Sequence, residues 1–378
     1  MIRTFRYPLR LTVAQEATLD QWRIVCQQLY NGALQERRDA WRKQRVSITR
    51  IDQQKELTEL RATDPEWLMV PTWIERSALR RVDLAFQAFF RRCRRGEKPG
   101  FPRFRSQDRY NSFDLGSNPV HIDGDHLNIP KLGMVKFHKY RDLHGKVKLV
   151  CIGRSARGWS VSFVCNLGEA PAKVPVQIDK VVGIDVGLEA FATLSTGERI
   201  ENPRFFRKSE EMLARRQRSL ARKRRGSSSR RRAKQLIARV HEHIRNQRLD
   251  FARKLACVLF DRFNLIAYED LAISRMVHGN LAKSIYDAAW GIAIRALNSK
   301  AEEAGKWSVP VNPYRTSQRC ARCGAVVKKT LAERTHSCSS CGFVTHRDHN
   351  SSLNIRALGL SAVQLTEAFN LRSEAVVR

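Results

Sequence analysis

A chain of 378 residues with 69 Lys and Arg against 37 Asp and Glu carries a formal charge of +32, and its isoelectric point is near 10.6. The length exceeds one typical core and predicts two to four domains. With 42% hydrophobic residues the composition excludes a disordered tail, and no run of 18 apolar residues or charged-then-apolar leader suggests a membrane. A folded chain this basic points to a polyanion as partner.

In chain order, residues 13 to 95 carry helix-period patterns. Leu19, Trp22, Ile24, Cys26, Leu29 and Leu34 form one apolar stripe, and Ile74, Leu79, Val82, Leu84, Phe86 and Phe89 another, with Arg and Lys between them. The stretch "RRGEKPGFPRFRS" then breaks the helix with two prolines and two glycines. Its interleaved Phe and Arg, including Arg103 and Arg105, suit a phosphate backbone and stacked bases. From 113 to 168 the period becomes two. "VHIDGDHLNIP" reads as a hairpin about Asp123 and Gly124, and "KVKLVCIGRSARGWSVSFVCNL" as another about Arg157 and Gly158. A small barrel is expected, completed by the N-terminal strand "IRTFRYPLRL". Pro-rich "GEAPAKVPV", residues 168 to 176, reads as a domain linker.

Residues 180 to 200 predict two or three strands with a turn at Ser195 to Gly197, followed by helix from 204 to 259. From Arg204 to Arg253 there are 18 Lys or Arg and 4 acids, so this piece supplies +14 of the total charge. "RRGSSS" divides it into a helical hairpin whose second arm packs through Leu236, Val240, Ile244, Phe251 and Leu255. The arginines opposite, with Arg222, Lys223, Arg224, Arg225, Arg230, Arg231 and Arg232 at the tip, are candidate nucleic-acid contacts. A strand "FNLIAYEDL" ending at Glu269, a helix near 284 to 304 and a strand "WSVPV" at 307 to 311 come next. A helix starting near Asn350 closes the pattern, and a loose tail is expected after 360.

Nine cysteines fall into two groups. Cys26, Cys93, Cys151, Cys165 and Cys257 are scattered singly and read as buried reduced thiols. "RCARCG" and "SCSSCG" instead form two CxxC knuckles, Cys320, Cys323, Cys338 and Cys341, with 14 residues between them. Each knuckle turns two thiolates to one side, and two together build a tetrahedral zinc site with Zn–S near 2.3 Å. With all four positions filled by protein, such a zinc is structural. His336, His346 and His349 nearby are expected at the surface or against nucleic acid.

"DKVVGIDVGLEAFATLSTGE" sets Asp185 inside an apolar strand, which costs several kcal/mol without compensation. A salt bridge is one compensation and a divalent metal another. Glu269 closes a second apolar strand and Asp348 precedes the last helix. Carboxylates are the natural ligands of the two Mg²⁺ ions, about 3.5 to 4 Å apart, that catalyse phosphodiester hydrolysis. Separations of 84 and 79 residues do not by themselves bring the three together.

The order "GIDVG", "YEDL", two CxxC knuckles and "HRDHNSSLNI" resembles the split RuvC-type nuclease of the transposon-encoded TnpB family, relatives of compact type V CRISPR effectors. "KPGFPRFRS", "SIYDAAWG" and "PYRTSQRCARCG" resemble further stretches of that family, so the likeness runs from about residue 1 to 360. It implies that Asp185, Glu269 and Asp348 are catalytic and hold Mg²⁺, that the four cysteines hold Zn²⁺, and that Arg315 and Gln318 approach nucleic acid. Two departures stand out: His346 replaces a common acid, and Ser351 and Ser352 replace a small Ala-Ala pair. Asp270 is a weaker metal candidate. Asp287, in the matched helix, either supports the site or caps a local hydrogen bond.

The resemblance implies a multidomain α/β plus β-barrel protein. An oligonucleotide-binding-like wedge barrel (1–12 and 96–170) would carry a helical recognition domain (13–95). An RNase H-like (RuvC) nuclease (171–312 and 345–360), with the basic insertion at 204–259, would carry a zinc ribbon (313–344) and a flexible tail (361–378). The implied activity is guide-RNA-directed cleavage of double-stranded DNA beside a short motif, by one copy with one transposon-end RNA, in a prokaryotic cytoplasm on nucleoid DNA. A guide-dependent repressor would share this architecture but should have lost one of the three acids. A guide-free junction resolvase would leave the helical half and the ribbon unexplained.

Overall fold

Period-two burial begins at the first strand, as "IRTFRYPLR" requires of a sheet with one wet face. In β1 (Ile2–Arg10) Phe5 and Tyr7 are buried while Arg6 faces out. The computed structural model describes residues 1–116, 120–330 and 333–376, with side chains through 364. It divides into two units, Met1–Gly168 and Glu169–Arg378.

In the first unit, α1 (Val13–Gln44) opens on a capping box. Thr12 Oγ1 accepts the Gln15 N–H at 3.2 Å, and Gln15 Oε1 accepts the Thr12 N–H at 3.1 Å. Next come α2 (Arg50–Thr63) and α3 (Thr72–Arg94). The expected stripes are buried at Leu19, Trp22, Cys26 and Leu34, and at Ile74, Leu79 and Val82, whereas Leu84 is exposed. The strands are β2 (Ser112–Gly116), β3 (His121–Asp123), β4 (His126–Ile129), β5 (Gly133–Phe137), β6 (Lys146–Ser155) and β7 (Gly158–Asn166). With β1 they form one antiparallel sheet in the order β2-β6-β7-β1-β5-β4-β3. Strand β1 pairs with β7 from Ile2↔Asn166 to Pro8↔Ser160, then with β5 at Leu9↔Phe137. One strand therefore joins two groups of three. Trp22 meets Phe113 edge-on at 6.3 Å, which seats α1 on the sheet.

In the second unit β8 (Val181–Val186), β9 (Ala190–Leu194) and β10 (Arg199–Glu201) form a meander. The basic hairpin follows as α4 (Phe205–Ala221) and α5 (Ser228–Arg262), then β11 (Leu265–Glu269). The helix expected near 284 to 304 is divided. After α6 (Ile273–Met276), α7 (Ala282–Ala288) and α8 (Trp290–Glu303) meet at Ala289, whose φ of 57° breaks the helical path. Strand β12 (Trp307–Val311), the small hairpin β13 (Thr335–Ser337) and β14 (Val344–His346), and α9 (Arg347–Val376) complete it. The main sheet runs β10-β9-β8-β11-β12, antiparallel up to β8 and parallel from β8 through β11 to β12.

Alternation sorts this sheet into two faces. Val182, Ile184 and Ile266 pack with Ala252, Ala256 and Leu259 of α5 and Ala293 and Leu297 of α8. Val181, Leu265 and Ala267 pack with Ile355 and Val363 of α9. Asp185 and Glu269 continue the second alternation and so share the face that α9 covers.

The loose tail expected after 360 is helical to Val376, and Val363 is buried against β8 and β11. An apolar residue at this spacing from Ile355 continues the packed stripe; residues 377 and 378 lie outside the described residues. Cys26 and Cys165 are buried as expected, but Cys93 and Cys257 are exposed because they fall off the apolar stripes of α3 and α5.

Candidate active site

The three acids reach one place by three local rules. Asp185 follows Ile184 in β8, which pairs with Tyr268 of β11, so Glu269 is the next residue of the neighbouring strand. Asp348 sits in the first turn of α9. That helix is drawn onto the sheet by two glycines. A Cβ on Gly183 would lie 2.1 Å from the Ser352 carbonyl oxygen and 2.4 Å from the Arg356 nitrogen, and one on Gly359 2.3 Å from Ala267 Cβ. Arg356 locks the register, donating from Nε to the Val181 carbonyl at 2.9 Å and from Nη2 to the Ile178 carbonyl at 2.7 Å.

The electrostatics follow from this crowding. Burial, then the charges of Glu269 and Asp348, push the Asp185 carboxyl well above its ordinary range, against Arg347 and a hydrogen bond from Ser351. Burial also raises Glu269, opposed by Thr316. The Thr316 hydroxyl donates to Glu269 Oε1 at 2.5 Å. Of the two compensations, the salt bridge falls short at Asp185: Arg347 opposes the rise without overcoming it. Asp270, the weaker metal candidate, is exposed, and its amide donates to the Val311 carbonyl.

Several supporting residues were not legible in advance. Thr316 is 5% exposed and belongs to the loop entering the cysteine module. Asn350 and Asn354 of α9 hold that loop: Asn350 Oδ1 accepts the Ala321 N–H at 3.0 Å, and both side-chain amides donate to the Arg319 carbonyl. Asn354 also reaches the Thr316 carbonyl at 2.8 Å. Ser351, noted above only as a departure, bonds Asp185, and Ser352 Oγ donates to the His349 carbonyl at 2.8 Å. "TSQRC" and "HNSSLN" were the available signals, short polar residues at positions that proved to be buried.

Of the three histidines His336 departs from the expected surface role, while His346 and His349 are half-buried. His336 is fully buried, paired through Nδ1 with Lys329 Nζ. His349 Nε2 lies 3.3 Å from the Ser195 carbonyl, which can only accept, so that nitrogen carries the proton while Nδ1 meets Thr345 Oγ1 at 3.1 Å. His346 Nδ1 accepts the Asp348 N–H at 3.3 Å. All three brace the base of α9 and the ribbon.

Cys320, Cys323, Cys338 and Cys341 bring their sulfurs within 4.8 Å of one another, the one such metal-capable group among the described residues. Sγ separations of 3.7 Å for Cys320–Cys341 and 3.6 Å for Cys323–Cys338 match the roughly 3.8 Å edge of a tetrahedron with Zn–S near 2.3 Å. Gly324 and Gly342, at φ of 79° and 69°, permit the knuckle turns. Burial raises the Cys338 thiol, but amides of Cys341 and Ser340 outweigh it and hold it below the ordinary thiol range, whereas its neighbours in the cluster hold Cys341 above it. The three carboxylates are not gathered this tightly.

The basic hairpin is anchored by Asp287, which resolves its role. Its Oδ1 accepts the Phe206 N–H at 2.7 Å and its Oδ2 the Arg207 N–H at 3.1 Å, capping α4 from a different helix, and Arg248 donates to Oδ1 at 3.1 Å. At the tip Arg222, Arg224, Arg225, Arg231 and Arg232 are exposed. Arg230 is not free with them: its Nη1 donates to the Leu220 and Lys223 carbonyls and closes the turn. Lys223 is half-buried. Arg315 is exposed, its guanidinium 4.9 Å over the Tyr314 ring, whereas Gln318 is half-buried with its carbonyl bound to the Val327 amide. In the first unit Arg103 and Arg105 are exposed, the latter held through its backbone by Asn31 and Gln27.

The chain is similar to several known proteins. A family model described as "Probable transposase" matches residues 162–279, and one described as "Cas12f1-like, TNB domain" matches 290–355. A third, described as "Helix-turn-helix domain", matches 1–45, which here hold one strand and one 32-residue helix. A Streptomyces pristinaespiralis protein bearing the name "Putative RNA-guided DNA endonuclease" is 31% identical over 95% of this chain and 90% of its own length. The Escherichia coli K12 protein InsQ, bearing the same name, is 29% identical over 95% and 92%. The fold resembles a protein chain of a Cas12f1–sgRNA–target DNA complex with a TM-score of 0.58 at 13% identity, covering 91% of this chain and 83% of that one. The two-unit architecture, with its mixed α/β sheets and Cys₄ module, shares the fold of that chain. The chain belongs to the TnpB family.

Proposed function

We propose that this protein is an RNA-guided DNA endonuclease. It takes a guide RNA derived from a transposon end and hydrolyses double-stranded DNA beside a short adjacent motif, using Mg²⁺ at a single site formed by Asp185, Glu269 and Asp348. The observation that carries the reading is the convergence on Asp185: two neighbouring carboxylates add to burial in raising it, an arrangement that costs stability unless a cation is meant to enter. The names carried by the relatives support the same activity.

The β10-β9-β8-β11-β12 sheet with α9 is the RNase H-like nuclease, 171–312 and 345–360, with the basic insertion 204–259. Residues 313–344 are a target-nucleic-acid-binding ribbon, whose zinc holds shape and leaves no position for water. The first unit supplies a wedge barrel, 1–12 and 96–170, and a recognition domain, 13–95. The protein works as one copy with one RNA in a bacterial cytoplasm, on nucleoid DNA.

Asp185, Glu269 and Asp348 would hold the Mg²⁺, which when bound activates a water and stabilises charge on the leaving oxygen. The chain's own residues prepare that chemistry. Thr316 fixes one oxygen of Glu269, and Ser351 tempers the rise of Asp185. Gly183 and Gly359 bring α9 close enough for Asp348 to join them. The exposed hairpin arginines and Arg315 hold phosphates through charge, which suits an RNA–DNA duplex recognised by its backbone.

The test is to purify the protein, sequence the RNA that travels with it, and challenge the complex with a randomised-motif plasmid library in Mg²⁺. A defined RNA and motif-dependent cutting are expected. Absence of a defined RNA, or cutting by Asp185→Ala equal to the parent, refutes the reading.

A further inference from the structure

One feature of the first unit plays no part in the site above. The C-terminal ends of α1 and α3 and the segment around Phe101 enclose a cleft of about 710 Å³. Its walls are aromatic and incompletely covered: Trp41, Phe90 and Phe101 are 53%, 54% and 46% exposed. The walls are rigid. Phe101 meets Phe86 and Phe89 edge-on at 5.6 and 5.4 Å, and Phe89 meets Phe90 at 5.2 Å. Downstream of Phe101, Asn31 accepts the Arg105 N–H at 2.8 Å and donates to its carbonyl at 2.9 Å, pinning the segment to α1. A cleft built this way exists before any ligand arrives.

Charge decides what it suits. Asp83 is the one acid lining it, and Arg37 answers that charge at 3.3 Å. Arg38 and Arg42 line the cleft as well. Arg38 lies 5.1 Å over Phe104 while sharing Asp39 at 3.5 Å. Arg91, Arg92 and Arg94 crowd the last turn of α3. An apolar peptide would bury the Arg42 guanidinium against no acid of the cleft, since Asp83 already answers Arg37. A nucleotide satisfies both halves, its base on the rings and its phosphates on the arginines. Duplex bases are already stacked, so the strand must be unpaired. Ser47 and Gln87 also line the cleft. Gln87 Nε2 is occupied by Asp83, which turns its carbonyl oxygen to an incoming donor. A hydroxyl and a carbonyl beside a stacked base are partners for a ribose 2′-hydroxyl, which only RNA brings.

We infer that this cleft holds an unpaired nucleotide of single-stranded RNA, with its base among Trp41, Phe90 and Phe101 and its flanking phosphates on Arg38 and Arg42. The RNA it would serve is the one required by the function proposed above, so the inference deepens that reading and rests on it.

Two measurements with the full-length protein decide it. In the first, a fluorescent 12-nucleotide oligouridylate is titrated with the parent and with the Trp41→Ala/Phe90→Ala double variant. The double variant is expected to bind tenfold or more weakly at an unchanged melting temperature, since both side chains are half exposed. Arg42→Gln is expected to make the salt dependence shallower by about one phosphate. In the second, ultraviolet cross-linking of the same oligonucleotide, read by mass spectrometry, is expected to mark Trp41, Phe90 or Phe101. Binding by the double variant within twofold of the parent, cross-links confined elsewhere, or equal affinity for oligothymidylate overturns the inference. Preferential capture of an apolar peptide by the parent over the double variant does so too. If no RNA copurifies with the protein, the guided-nuclease reading fails by itself, and the oligouridylate titration still decides the cleft.

Discussion

Replacing Gly183 by alanine tests how the site is assembled, because this glycine lies two residues before Asp185 on the face α9 covers. The added Cβ would meet the Ser352 oxygen at 2.1 Å, the Arg356 nitrogen at 2.4 Å and the Arg356 Cα at 2.9 Å. All three are backbone atoms of one helix, so no rotamer change relieves the overlap. To restore ordinary contact α9 must retreat by about 1 Å, and backbone shifts of this kind cost about 1 to 3 kcal/mol. For a unit of this size that lowers the melting temperature by roughly 3 to 10 °C. Asp348 rides on the displaced helix, and a 1 Å misplacement costs catalysis on the order of a hundredfold. Calorimetry and plasmid cleavage read the two effects, with Gly279→Ala as control because no atom lies within 4 Å of its Cβ position. A Gly183→Ala protein that melts within 1 °C of the parent and cuts as fast refutes the seating of α9 on β8.

Other outcomes follow from the same contacts. Thr316→Val, which leaves Glu269 Oε1 unoriented, should weaken Mn²⁺ binding measured by electron paramagnetic resonance about 10- to 100-fold, with Thr316→Ser close to the parent; equal affinities for all three would remove Thr316 from the site. Stripping zinc with a thiol-competing chelator should expose 324–337 to limited proteolysis and lower cutting, since the loop held by Asn350 and Asn354 loses its far anchor; unchanged proteolysis would contradict this. Glu75 is fully buried, and burial lifts its carboxyl to about 7 despite Arg61. Its folded-state value lies above the unfolded one, so its contribution is full below about 4.5 and falls away as the pH rises to about 7, by about 2 to 3 kcal/mol. Glu75→Gln should flatten the stability profile of the first unit across that window in urea titrations; the parent's slope persisting in the variant would exclude it.

Much of this architecture could be read from residue order. Alternation in "VVGIDV" and "LIAYE" placed strands correctly, and the same alternation puts Asp185 and Glu269 on one face once the strands are known to be neighbours. Adjacency itself was not legible, because β8 and β11 are separated by the whole basic hairpin. The cysteine spacing carried its own geometry, since two knuckles have one way to share a metal. What stayed hidden were short polar side chains acting over long sequence distances. Asp287 caps a helix 81 residues away, and Thr316 orients an acid 47 residues away. Composition also misled where function was inferred from type alone: His336 is a buried brace, and Arg230 closes its own turn. The tail after 360 lacked an evident stripe, yet among the side chains described there Val363 is buried, on a helix seated by Gly359.

The central claim is that three carboxylates on β8, β11 and α9 cut DNA at an address supplied by RNA. The most direct measurement programs the purified protein with its own RNA carrying a chosen guide, then follows cleavage of a matched and a mismatched plasmid in Mg²⁺, for the parent and for Asp185→Asn. The account predicts cutting of the matched plasmid alone by the parent, and binding without cutting by the variant. Cutting that ignores the guide, or persists in Asp185→Asn, would contradict it.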